Sequence, residues 1–155
     1  MNHDELSELY QEVIMEHNHH PRNYGVLPNA NHQAAGFNPL CGDRINLKLN
    51  IDQDDKITAI MFEGNGCAIS IASASLLTEM VQGKPIAEAY ALFEQFHELL
   101  TGKTVNTASL GKLTVLAGVN AFPARVKCAT LAWHTLKAAL ADDASTVSTE
   151  TGNDL

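Results

Sequence analysis

The chain of 155 residues carries a formal net charge of −8, with 45% hydrophobic and 18% charged residues. That is enough for one domain with a real core and too little for two, while the acidic balance excludes the basic stripe of a nucleic-acid binder. No run approaches the roughly 18 apolar residues of a membrane span, and Met1-Asn2-His3-Asp4-Glu5 is no secretory signal; with an odd cysteine count, the expectation is a cytoplasmic protein free of disulfides.

Residues 4–19 are expected to form an amphipathic helix, with Leu6, Leu9, Tyr10, Val13, Ile14 and His17 at the spacing of one buried stripe. Pro21 stops it, and 21–40 reads as loop with a short strand near Gln33–Phe37. Ile45, Leu47, Leu49 and Ile51 alternate with polar residues as in a half-buried strand; Gln53-Asp54-Asp55 turns into a second strand, Lys56–Glu63. Gly64 and Gly66 bracket the exit from that strand, and a small-residue helix follows over 68–82. Gly83 and Pro85 separate it from a helix with Ile86, Ala89, Tyr90, Phe93, Phe96, His97 and Leu100 on one face. After a polar linker over 103–108, Leu110–Val119 predicts a short helix, and Pro123 opens a last helix with the stripe Val126, Ala129, Trp133, Leu136 and Leu140. The polar, aperiodic tail 141–155 reads as disordered, leaving residues 1–140 as one domain. The fold class is therefore α+β: a small antiparallel three-stranded sheet packed by helices on one face.

The three cysteines stand at separate breaks in this pattern: Cys41 before a strand, Cys67 at a helix start, Cys128 early in the last helix. With Asp43 two residues from Cys41, they could supply four donors to one ion at one end of the sheet, a set that suits tetrahedral zinc. Helix starts favour the negative charge of Cys67 and Cys128, and Arg44, Arg125 and Lys127 are the nearby cations in sequence. Each donor also has a plainer use taken alone: Cys128 as core filler, Asp43 as a turn cap, Cys67 as a small residue opening a helix. The seven histidines are not expected as ligands; His17, His19 and His20 sit where a helix end favours cations, and His97 and His134 occupy core or boundary positions.

Three segments, Asn38-Pro39-Leu40-Cys41-Gly42-Asp43-Arg44, Phe62-Glu63-Gly64-Asn65-Gly66-Cys67-Ala68-Ile69-Ser70 and Phe122-Pro123-Ala124-Arg125-Val126-Lys127-Cys128, resemble the SufU branch of the IscU/NifU-type iron–sulfur assembly proteins. The resemblance runs over about residues 5–140. The IscU-type scaffolds carry histidine just before the third cysteine, where this chain has Lys127, and a Leu-Pro-Pro-Val-Lys segment where it has Ala121-Phe122-Pro123-Ala124-Arg125. The stretch from Cys67 to Cys128 is also longer than in those scaffolds.

Similarity to the SufU branch implies zinc held by Cys41, Asp43, Cys67 and Cys128 and a role as sulfur acceptor for a SufS-type, pyridoxal-phosphate-dependent cysteine desulfurase, with a downstream iron–sulfur scaffold as receiver. It implies Cys41 as the catalytic nucleophile and Arg125 as the charge that balances it. Two alternatives stay open: a scaffold that assembles a [2Fe–2S] cluster on the same ligands, and a purely structural zinc domain.

Overall fold

In the computed structural model, which describes residues 3–103, 107–141 and 147–148, the strict alternation of the first predicted strand becomes a two-sided ribbon. Ile45, Leu47 and Leu49 are fully buried, while Arg44 and Asn46 face out. That strand, β2 (Asp43–Ile51), lies between β1 (His32–Asn38) and β3 (Ile57–Asn65), antiparallel to both. The expected three-stranded antiparallel sheet is thus present, with helices on one face. A fourth, two-residue strand, β4 (Val147–Ser148), runs parallel to β1 opposite Gly36 and Phe37. The expected disordered tail is corrected at those two residues; 142–146 and 149–155 lie outside the described residues.

Five helical segments complete the chain: α1 (His3–His19), α2 (Ala68–Val81), α3 (Ile86–Leu100), a 3-10 stretch over Gly111–Ala121 and α4 (Pro123–Leu140), with a single 3-10 turn at Thr107–Ser109. The helix expected over Leu110–Val119 is a 3-10 helix, consistent with two glycines and the β-branched Thr114, Val115 and Val119, which lower α-helical propensity. α4 packs against β1 and β2, and α2 lies beside it. Both are buried nearly all round; in α2, Ser70–Thr78 are all buried, so its small side chains admit neighbours on two sides, α1 and α4. Gly36 shows how close α4 comes to the sheet, because a Cβ there would collide with Oγ1 of Thr135. Trp133, Phe62 and Phe96 are the largest fully buried side chains.

The stripe expected on α1 is only partly buried. Leu9 is 43% exposed and Tyr10, Val13 and Ile14 are half-buried; Tyr10 and Ile14 line a cleft of about 670 Å3 that opens between α1, the start of α2 and the 3-10 segment. His17 is fully enclosed, with Nδ1 2.7 Å from Oγ of Ser75 and Nε2 3.7 Å from Glu79. Burial first, and then the Arg22 charge, lower its pKa, so it is a neutral ring and not the helix-end cation the sequence suggested.

Candidate metal centre

β1 and β2 are joined by four residues, Pro39-Leu40-Cys41-Gly42, and Asn38 pairs directly with Asp43 at the base of this hairpin. The N–H of Gly42 closes the turn on the carbonyl of Asn38 at 2.8 Å, with Gly42 in the left-handed region at φ 74°. In an extended segment, side chains two residues apart, such as those of Cys41 and Asp43, would point the same way. Instead Cys41 lies on the exposed turn and Asp43 is the first, fully buried residue of β2, so the chain reversal is what brings the two together.

Partnered residues in an antiparallel pair point to the same face, and Asn38 and Asp43 are both fully buried. Nδ2 of Asn38 donates to Oδ2 of Asp43 at 3.1 Å and reaches Sγ of Cys128 at 3.6 Å. Cys128, on the second turn of α4, is buried, and its Sγ lies 3.6 Å from Sγ of Cys41. The ligand atoms of Cys41, Asp43 and Cys128 therefore fall within 4.8 Å of one another.

Cys67 arrives from the other side of the sheet. The end of β3 lies beside the start of β2, with Asn65 opposite Arg44, and Gly66 then passes so close to Asp43 that a Cβ would collide with Oδ1. Cys67 is the residue preceding α2, and its main-chain N–H donates to Oδ1 of Asp43 at 2.8 Å. Its Sγ lies outside the 4.8 Å trio, and the Cys128 thiol donates to Sγ of Cys41. The neighbouring Cys128 thiol, helped by the N–H groups of Ser70 and Ile69 at the start of α2 and opposed by burial and by Asp43, pulls the Cys67 thiol down to about 6. The neighbouring Cys67 and burial push the Cys128 thiol well above the thiol range.

The donor chemistry fits a divalent metal. Asp43 is fully buried, its oxygens are held by two N–H donors, and among the described residues no Lys, Arg or His pairs with it. A buried carboxylate in that setting calls for a positive partner, and the free thiols of Cys41 and Cys128 lie within 4.8 Å of it. Arg125 does not supply that charge: its guanidinium stacks 4.4 Å from the Phe122 ring centroid at the edge of the cleft and makes no ion pair among the described residues. Arg44 likewise lies over Phe37. Sequence reasoning gave Asn38 no role and missed that Gly66 must be bare; the Asn38–Asp43 pairing would have been readable only with the hairpin register known.

Comparison with known proteins settles the family. Residues 9–148 match the NifU-like N terminal domain. The chain belongs to this family. Among its NifU-like relatives, the zinc-dependent sulfurtransferase SufU of Bacillus subtilis is 43% identical over 139 residues, covering 89% of this chain and 93% of that protein. The iron–sulfur cluster assembly scaffold protein IscU of Streptococcus pyogenes is 45% identical over 138 residues, covering 87% and 84%. A crystal structure from Fervidobacterium islandicum, described as a scaffold protein for the SUF system, superposes with a TM-score of 0.81 at 36% identity, covering 86% of this chain and 97% of that one.

Proposed function

We propose that this NifU-like protein is a zinc-dependent sulfur acceptor in iron–sulfur cluster assembly, taking persulfide sulfur from a SufS-type, pyridoxal-phosphate-dependent cysteine desulfurase in the cytoplasm and passing it to a downstream scaffold. The observation that carries this reading is the asymmetry of the donors: Cys41 is exposed on a turn, whereas Asp43 and Cys128 are buried beside it. The nucleophile must meet a partner's persulfide, and of the three cysteines Cys41 alone is exposed. Similarity to the sulfurtransferase SufU supports the same choice.

The zinc would be held by Cys41, Asp43, Cys67 and Cys128, and when bound it keeps the thiols as thiolates protected from adventitious oxidation. In the transfer, the Cys41 thiolate attacks the outer sulfur of the donor persulfide. A new S–S bond forms on Cys41, the donor's S–S bond breaks, and the donor cysteine leaves as a thiolate; the sulfane sulfur moves with no net oxidation. Cys41 loses its thiolate to the new bond while Asp43, Cys67 and Cys128 keep their places. Arg125, at the edge of the neighbouring cleft, would balance charge near the Cys41 thiolate when it is free to move.

The test is transfer of sulfur from a SufS-type desulfurase fed with cysteine, followed by intact-protein mass spectrometry. Cys41→Ser is expected to abolish the added sulfur and the stimulation of cysteine turnover while leaving the fold intact; persistence of either rejects Cys41 as the acceptor. The second reading, a scaffold building a [2Fe–2S] cluster on the same residues, draws support from the 45% identity to the Streptococcus pyogenes scaffold. Metal analysis of anaerobically isolated protein separates the two: stoichiometric zinc without visible absorption favours transfer, and a coloured iron–sulfide species favours the scaffold.

A further inference from the structure

We propose that Asn38 is a positioning residue of the metal centre: its side-chain amide fixes the carboxylate of Asp43 against the thiol of Cys128, leaving Cys41 as the donor free to depart. This rests on the reading of Cys41, Asp43, Cys67 and Cys128 as a zinc site.

Asn38 is fully buried at the closing pair of the β1–β2 hairpin. Its two side-chain atoms do different work. Nδ2 donates to Oδ2 of Asp43 at 3.1 Å and lies 3.6 Å from Sγ of Cys128, so one neutral group touches two of the donors. Oδ1 accepts the N–H of Leu40 at 3.3 Å and steadies the turn that carries Cys41. The other oxygen of Asp43 is already taken by the Cys67 N–H, so the carboxylate is pinned at both ends and keeps one orientation whatever Cys41 does. Among the described residues Cys41 has no comparable anchor: its sulfur accepts only from the Cys128 thiol, and its turn ends in Gly42, around which a Cβ would meet nothing within 4 Å. A neutral amide suits this place because it donates to two anionic ligands without adding charge to a set already rich in it. A carboxylate would repel Asp43, and an alkyl group would leave its Oδ2 short of a donor.

The inference separates from a general packing role through a double-mutant cycle on zinc affinity, measured by chelator competition with no desulfurase present. Asn38→Ala is expected to weaken zinc binding about 10–100-fold, the range for removing an outer partner of a metal ligand. In an Asp43→Ala background the same change should cost less than about threefold, since its main target is gone. Equal losses in both backgrounds, or wild-type affinity in Asn38→Ala, would overturn the proposal. Asn38→Ser keeps a short oxygen for the Leu40 N–H but cannot reach Asp43; it should lose as much affinity as alanine, and recovery of wild-type affinity would assign the role to the turn brace and reject the amide. Wild-type protein that takes up zinc while Asn38→Ala behaves identically sinks this inference alone. A wild-type protein without zinc affinity sinks both this inference and the zinc reading, and a Cys41 that accepts no sulfur sinks the transfer reading while leaving these affinities unchanged.

Discussion

The main-chain N–H of Cys67 donates to Oδ1 of Asp43 at 2.8 Å, across 24 residues of sequence. This bond ties the entrance of α2 to the first residue of β2. It also explains why the chain between β3 and α2 is so tight, for the donor can reach the carboxylate only if Gly66 passes directly over it.

Gly66→Ala should therefore push Asp43 out of place. A Cβ at this position meets the Asp43 carboxylate and its Cβ, with no flexible chain end able to yield. Overpacking of this kind costs about 1–3 kcal/mol. Urea unfolding of the metal-free variant should show that loss, and zinc affinity should fall with it; unchanged values for both would mean that the turn has room to relax.

The lowered pKa of Cys67 predicts a measurable titration. In metal-free protein the rate of Cys67 alkylation by iodoacetamide, followed by peptide mass spectrometry, should rise with a midpoint near pH 6, since Cys67 is lowered to about 6. Cys128→Ala removes the first cause of that shift and should return the midpoint toward the ordinary thiol value of about 8.5. A midpoint insensitive to Cys128 would contradict this influence of Cys128 on Cys67.

His17 gives a pH dependence of stability with a definite sign. Its folded pKa is lowered by burial, so below the unfolded value of about 6.5 the unfolded chain binds more protons than the folded one. The protein should be fully stable with respect to this group above pH 6.5 and lose up to about 1.4 kcal/mol per pH unit as the pH falls below it, until the folded pKa is reached. Comparing urea midpoints at pH 7.5 and 5.5, His17→Gln should flatten the profile; identical slopes in wild type and variant would refute the assignment.

Removal of metal should destabilise the chain by mass action. With free zinc about 100-fold above the dissociation constant, bound metal adds about 2.7 kcal/mol, which a strong chelator should remove as a drop in melting temperature. Cys128→Ser, which takes away a buried donor on α4, should abolish most of the difference between the zinc-loaded and chelated proteins.

Much of the fold was legible because its signals are local. The two-residue alternation of Ile45, Leu47 and Leu49 and the punctuation by Pro21, Gly83, Pro85 and Pro123 mark elements without any knowledge of their neighbours. The half-exposed face of α1 was not legible, since the spacing of Leu9, Tyr10 and Val13 reports an apolar stripe and not whether a neighbour fills the space beside it. At the site, the residue types of the four donors announced themselves, and the structure brings Cys41, Asp43 and Cys128 together with Cys67 alongside. What escaped was relational. His17 looked like a helix-end cation until Ser75 and the surrounding core enclosed it, and Asn38 acquires meaning only once the hairpin register sets it opposite Asp43.

The double anchoring of Asp43 bears on attempts to convert this centre into an all-sulfur site. A cysteine installed at position 43 would offer a single sulfur where two oxygens now receive the N–H of Cys67 and the amide of Asn38. Two buried donors would be left short of acceptors, and the seam between sheet and α2 would loosen before any ion arrived. The carboxylate at position 43 is thus required by the polypeptide's own wiring, independently of any metal.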